Sequence, residues 1–106
     1  MNWINLTTMS ELEKIKEDSF QNPQFIFKHS TRCSISQMVL SRFDSKNDSV
    51  SLSVYLLDLL NYRDLSNQIA EDFNTKHESP QFLMIKDGEC HKHSSHTSIH
   101  QLNLFE

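Results

Sequence analysis

Apolar residues along the chain fall either into short dense runs or into stripes at helical spacing, and the order of the two kinds predicts the fold. Trp3 to Leu6 reads as a short first strand. Ser10 and Glu13 have capping-box spacing, each able to serve an unpaired amide at a helix start, with Leu12 and Ile15 on the inner face behind them. Phe25-Ile26-Phe27 is apolar without alternation, as in a central parallel strand covered on both faces. Ile35, Met38, Val39 and Phe43 then recur at helical spacing until the polar stretch from Asp44 to Ser49. Val50, Leu52 and Val54 alternate and run on through Tyr55-Leu56-Leu57 as another strand. Leu65, Ile69 and Phe73 form the next helical stripe, and Phe82 to Ile85 the next strand. Asp87-Gly88 is a two-residue hairpin signal, since both turn positions need positive φ, and Glu89 to His93 is the returning edge strand. A last short helix turns Ile99 and Leu102 inward.

The order is β-α-β-α-β-α-β-β-α. Alternating strands and helices imply right-handed parallel crossovers, and the terminal hairpin adds antiparallel strands. The expected class is α/β, a three-layer α/β/α sandwich around a mixed sheet, one domain over residues 1–106. Composition agrees: 37% hydrophobic and 23% charged residues describe a chain that can bury a core without a disulfide or metal. A net charge of −4 argues against a nucleic-acid partner. No apolar run approaches a membrane span, and the N-terminus lacks a signal-peptide layout. Two cysteines in such a chain read as free thiols, and the expected compartment is the cytoplasm.

The chemistry concentrates in Lys28-His29-Ser30-Thr31-Arg32-Cys33-Ser34-Ile35-Ser36, which joins a strand to a helix and puts Cys33 at the helix start. Free amides and the helix dipole there favour a negative sulfur, and Arg32 and Lys28 add positive potential. A buried, inert thiol is the competing reading of a lone Cys. In Cys33-x-x-Ser36 the fourth position holds no second sulfur, so a mixed disulfide formed at Cys33 waits for an outside thiol. The second signal is Ser79-Pro80 opening an apolar strand, a place where Pro costs no ladder hydrogen bond.

The element order and these signals resemble the thioredoxin fold, in which a cis-Pro loop faces the active sulfur. More specifically, Lys28 to Ser36, the stretch from Leu57 to Ala70, His77-Glu78-Ser79-Pro80-Gln81 and Ser95-His96 resemble the monothiol bacilliredoxin family from Trp3 to about Ile99. Many members read Thr-Cys-Pro-Ile-Ser, whereas this chain has Arg32 before the sulfur and Ser34 after it, losing a preorganised Pro at the first helical position.

The resemblance implies a thiol–disulfide oxidoreductase that removes bacillithiol, a cysteine–glucosamine–malate thiol, from bacillithiolated proteins. Cys33 is the implied nucleophile and no bound cofactor is implied. Free bacillithiol regenerates Cys33, and a flavin-dependent bacillithiol disulfide reductase acts downstream. Thr31, Arg32, Ser36, Ser79 and Pro80 are the expected binding residues around the sulfur. Ser95, His96 and Thr97 are expected to meet the malate carboxylates at the start of the last helix, with Arg32 on the opposite wall. A plain helix cap from Thr97 or Ser98 is the alternative there.

Cys90 is expected at the far end of the hairpin, out of reach of Cys33. His91, His93, His96 and His100 have no recognised zinc spacing and read as solvated positions. Lys28, Asp58 and Glu71-Asp72 read most simply as solvent-facing or locally ion-paired. Two other classes stay open: a non-catalytic thioredoxin-fold binding module, and an iron–sulfur carrier, for which Ser34-Ile35 replaces the Gly-Phe that some cluster-binding monothiol proteins use.

Overall fold

A computed structural model describes residues 1–102; residues 103–106 of the expected domain lie outside the described residues. The elements are β1 (Asn2–Asn5), α1 (Met9–Asp18), β2 (Gln24–His29), α2 (Ser34–Lys46), β3 (Ser53–Asp58), α3 (Arg63–Asp72), β4 (Gln81–Lys86) and β5 (Glu89–Ser95), closed by a 3-10 turn at His96–Gln101. The sheet runs β1-β3-β2-β4-β5. β1 and β2 lie parallel to β3, while β4 is antiparallel to β2 and β5 antiparallel to β4.

Period-2 alternation sorts the core into two layers. Ile26, Leu57, Leu83 and Ile85 pack with Leu12 and Ile15 of α1 and Leu65 and Ile69 of α3. On the other face Phe25, Phe27, Val54 and Phe82 pack with Val39 and Phe43 of α2 and Ile99 of the 3-10 turn. The result is the three-layer α/β arrangement with β2 at its centre. An ion pair between Lys16 and Asp72 ties α1 to α3. No helix among the described residues is long and apolar enough to cross a membrane.

Several boundaries differ from the sequence expectation. The N-cap of α1 is Thr8, not Ser10: Thr8 Oγ1 accepts the Glu11 amide at 3.1 Å, and Glu11 Oε1 accepts from the Thr7 amide and both threonine hydroxyls. α2 runs past Asp44 to Lys46 and ends where the Asn47 side chain bonds Phe43 O at 2.9 Å. Val50 gives its amide to Asn47 O in a turn, so β3 begins only at Ser53. Of the expected α2 stripe, Val39 and Phe43 are buried, whereas Ile35 and Met38 face outward. The Asp87-Gly88 turn has φ of 53° and 76° and is clamped by Ser19, whose carbonyl and hydroxyl oxygens accept both amides.

Lys28 corrects a larger expectation. Alternation along β2 turns it toward α3, where it is fully buried. Its Nζ donates to Ser66 O at 3.0 Å and lies 3.4 Å from His77 Nδ1. It is neither solvent-facing nor ion-paired: its partners are a carbonyl and an imidazole nitrogen. Desolvation pulls its pKa down to about 8. The folded chain therefore carries a penalised ammonium below pH 8, and relief comes as pH rises toward the ordinary lysine value near 10.4.

Two stability measurements follow from this packing. Thr8→Ala is expected to cost about 1 kcal/mol in urea unfolding, and Ser10→Ala less than about 0.5 kcal/mol; equal costs would return the cap to Ser10. Between pH 7.5 and 9.5 the wild type should gain about 1–2 kcal/mol relative to Lys28→Met, because only the wild type sheds a buried charge in that window. Parallel pH profiles for the two proteins would contradict the burial of a charged Lys28.

Candidate active site

β2 ends at His29, and the chain turns through Ser30, Thr31 and Arg32 before α2 begins. Cys33 is the N-cap of α2, with extended backbone (φ −107°, ψ 119°) and no side-chain capping bond. Its amide donates to Ser30 O at 3.2 Å, and its carbonyl accepts the Gln37 amide at 3.0 Å. The Gln37 side chain steadies the turn from the helix side by donating to Thr31 O at 2.7 Å. The sulfur-bearing residue is partly exposed, beside the unpaired amides and positive dipole end of α2, where an anion is stabilised. Thr31 and Arg32 are exposed and line a cleft of about 340 Å³ with Leu60 and Asn61. Asp58 shapes the far wall of that cleft by accepting from the Leu60 amide at 3.2 Å and Asn61 Nδ2 at 2.6 Å.

Ser36 departs from its expected role. It is fully buried, and its hydroxyl accepts the Ser30 amide at 3.0 Å and lies 2.8 Å from His29 Nδ1. A substrate in the cleft cannot reach it. His29, which composition and spacing did not single out, is 7% exposed, and burial pushes its pKa below the ordinary histidine value against a smaller opposing pull from Asp58. Continuing the β2 alternation from Phe25 and Phe27 to His29 is the signal that could have found it.

The register brings a second group to the same end of the sheet: Lys28 pairs with Gln81, and Gln81 with Ser95. The Ser79–Pro80 peptide bond is cis, and Pro80 is buried. Pro80 O accepts the His96 amide at 2.9 Å, and His96 adopts a positive φ of 54°. Ser95 Oγ donates to Glu78 Oε1 at 3.2 Å, and His96 Nδ1 lies 3.7 Å from Glu78 Oε2. Ser95 and His96 therefore do gather at Pro80, but around a carboxylate already in place. That carboxylate takes the Ser95 donor and repels a second anion. The element behind them is a 3-10 turn of six residues without a side-chain cap, and Thr97 on it is exposed. The Thr31–Arg32 cleft is lined by none of Ser95, His96 and Thr97, nor by Cys33, Ser79 or Pro80.

His77, given no role by the sequence, bridges Lys28 and Ser66, its Nδ1 lying 3.2 Å from Ser66 Oγ. Burial and the nearby Lys28 and Arg63 charges push its pKa below the ordinary value. The contact ties the segment leading into Ser79 to β2 and α3. Cys90 pairs with Ile85, four strand residues from Gln81, or about 13 Å along the sheet. It packs against the α1–α3 side of the core, its thiol donates to Lys92 O at 3.5 Å, and burial pushes that thiol up. Such a separation is beyond disulfide reach of the sulfur at the opposite end. Among the described residues no three His, Cys, Asp or Glu side chains gather closely enough to hold a metal ion.

Known proteins resemble the chain in sequence and in fold. One solved structure, assigned as an oxidoreductase with a thioredoxin fold, superposes with a TM-score of 0.82 at 32% identity, covering 92% of this chain and 85% of that one. The thioredoxin of Trypanosoma brucei brucei matches at 0.75 and 9% identity, over 94% and 83% of the two chains. Schistosoma mansoni thioredoxin matches at 0.70 and 20% identity, over 94% and 88%. The two thioredoxins establish the fold alone. The family model for monothiol bacilliredoxin BrxC matches residues 4–104. The chain has a thioredoxin fold, and it belongs to the monothiol bacilliredoxin BrxC family.

Proposed function

We propose that this protein is a monothiol thiol–disulfide oxidoreductase that removes bacillithiol from S-bacillithiolated proteins through Cys33. The observation that carries the reading is the isolation of a partly exposed sulfur at a helix N-cap. Position 36 is a buried serine, and the other cysteine sits at the opposite end of the sheet. A sulfur so placed can open a disulfide but finds no partner in its own chain to resolve the product.

The Cys33 thiolate attacks the bacillithiol sulfur of the modified protein. The old S–S bond breaks, the protein cysteine leaves as thiolate and takes up a proton, and Cys33 is left in a mixed disulfide with bacillithiol. The thiolate of a second bacillithiol then attacks the bound bacillithiol sulfur, releasing Cys33 and bacillithiol disulfide. A flavin-dependent reductase elsewhere returns that disulfide to thiols. Arg32 and Thr31 at the exposed cleft are the residues we assign to the malate carboxylates, because Arg32 offers a planar fork of donors. Ser79 and Pro80, at the same sheet end as Cys33, are the residues we assign to the other side of the bound thiol, with Glu78, Ser95 and His96 bracing them.

The test is turnover of a bacillithiolated protein with excess free bacillithiol. Cys33→Ser should fall to the uncatalysed background, whereas Cys90→Ser should stay within about twofold of wild type. Arg32→Ala should raise KM roughly fivefold to tenfold with a smaller change in kcat. Activity that survives Cys33→Ser but not Cys90→Ser would reverse the assignment.

A further inference from the structure

Position 36 of the Cys33-x-x-Ser36 motif lacks a sulfur, yet its hydroxyl bonds two neighbours inside the protein. Ser36 Oγ accepts the Ser30 amide and lies 2.8 Å from His29 Nδ1. Ser36 is fully buried and His29 is 7% exposed, so water does not compete for either contact. A serine hydroxyl has one proton to give. The Ser30 amide occupies one of its two lone pairs, and Nδ1 is an acceptor within reach of that proton, an arrangement that places the ring hydrogen on Nε2. Burial keeps His29 neutral near pH 7 by disfavouring its charged form.

The covalent arrangement gives these two bonds their consequence. His29 is the last residue of β2, Ser30 is the next, and Ser36 lies in the first turn of α2. Thr31, Arg32, Cys33, Ser34 and Ile35 are the chain between Ser30 and Ser36. The bonds therefore close a ring around the nucleophile, joining the end of the strand to the start of the helix from inside the core. A further backbone bond, from the Leu59 amide to His29 O at 3.1 Å, fixes the strand side of the ring to the end of β3.

We propose that Ser36 and His29 are positioning residues for Cys33: the chain Ser30 N–H to Ser36 O–H to His29 Nδ1 fixes how the sulfur-bearing turn leaves β2, and holds His29 in its Nε2–H tautomer. The proposal rests on Cys33 as the nucleophile and says what the serine contributes there beyond the absence of a thiol. It follows that a sulfur at 36 has a structural cost. A thiol is a weaker donor and acceptor than a hydroxyl, so Ser36→Cys supplies a potential resolving group while loosening the ring that holds its partner.

The experiment uses the full chain in a Cys90→Ser background, with 15N-labelled histidine and iodoacetamide as the probe of Cys33. Neither readout involves bacillithiol, so failure of the functional assignment leaves them interpretable. At pH 7.5 the His29 ring should show an unprotonated Nδ1 and a protonated Nε2. In Ser36→Ala the single-tautomer signature should be lost, and Cys33 alkylation should slow by roughly tenfold or more with the circular dichroism spectrum retained. His29→Asn keeps an acceptor near the Nδ1 position and should recover most of the rate lost in His29→Leu. A role in packing alone would leave the tautomer and the Asn–Leu difference unmoved. A wild-type His29 protonated on Nδ1 would overturn the proposal. So would a folded Ser36→Ala that alkylates within twofold of wild type. Should Ser36→Ala fail to fold, the wild-type tautomer and the Asn–Leu pair decide the matter alone.

Discussion

β2 is hydrogen-bonded on both edges, to β3 and to β4, and covered on both faces by helices. A strand so enclosed has no solvent side on which to place a polar residue. Phe25, Ile26 and Phe27 satisfy that constraint with apolar side chains, but the next two residues are Lys28 and His29. Alternation sends them to opposite faces, and each must find hydrogen-bond partners inside the protein. Lys28 recruits Ser66 of α3 and His77 of the segment before Pro80. His29 recruits Ser36 of α2 and, through it, the amide of Ser30. The polar end of one enclosed strand thus fixes both the turn that carries Cys33 and the approach to Ser79 and Pro80.

The sheet supplies the rest of the geometry. β2 lies where a parallel neighbour gives way to an antiparallel one, so the C-terminal end of β2 and the N-terminal end of β4 meet at one sheet end. The chain leaving β2 enters α2 with the sulfur at its N-cap, and the chain entering β4 carries the cis Ser79–Pro80 bond. β5 returns to that same end, where Glu78, Ser95 and His96 join to hold the Pro80 edge. Cys90, paired with Ile85 near the hairpin, lies at the other end of the sheet.

Much of this was legible from residue order. Dense apolar runs and helical stripes predicted the elements, and Asp87-Gly88 predicted a turn whose φ values are positive at both positions. The misreadings have physical causes. Thr8-x-x-Glu11 and Ser10-x-x-Glu13 both have capping-box spacing, and which one caps depends on where Leu12 and Ile15 meet the sheet. Residue type suggests a solvent-facing or locally ion-paired Lys28, although two-residue alternation carried past Phe27 turns it inward. At Ser95 to Thr97, spacing could not reveal Glu78, which is remote in sequence yet accepts from the Ser95 hydroxyl across the sheet end. Ser36 was legible as a missing thiol but not as a buried hydroxyl, since its partner His29 lies seven residues away on a different element.

The most direct test of Cys33 as the exchanging sulfur is peptide-level mass spectrometry of the protein after exposure to bacillithiol disulfide. A single bacillithiol adduct on the peptide containing Cys33, discharged by excess reduced thiol, is the predicted result. An adduct confined to Cys90, or none at all while iodoacetamide still labels Cys33, would contradict it.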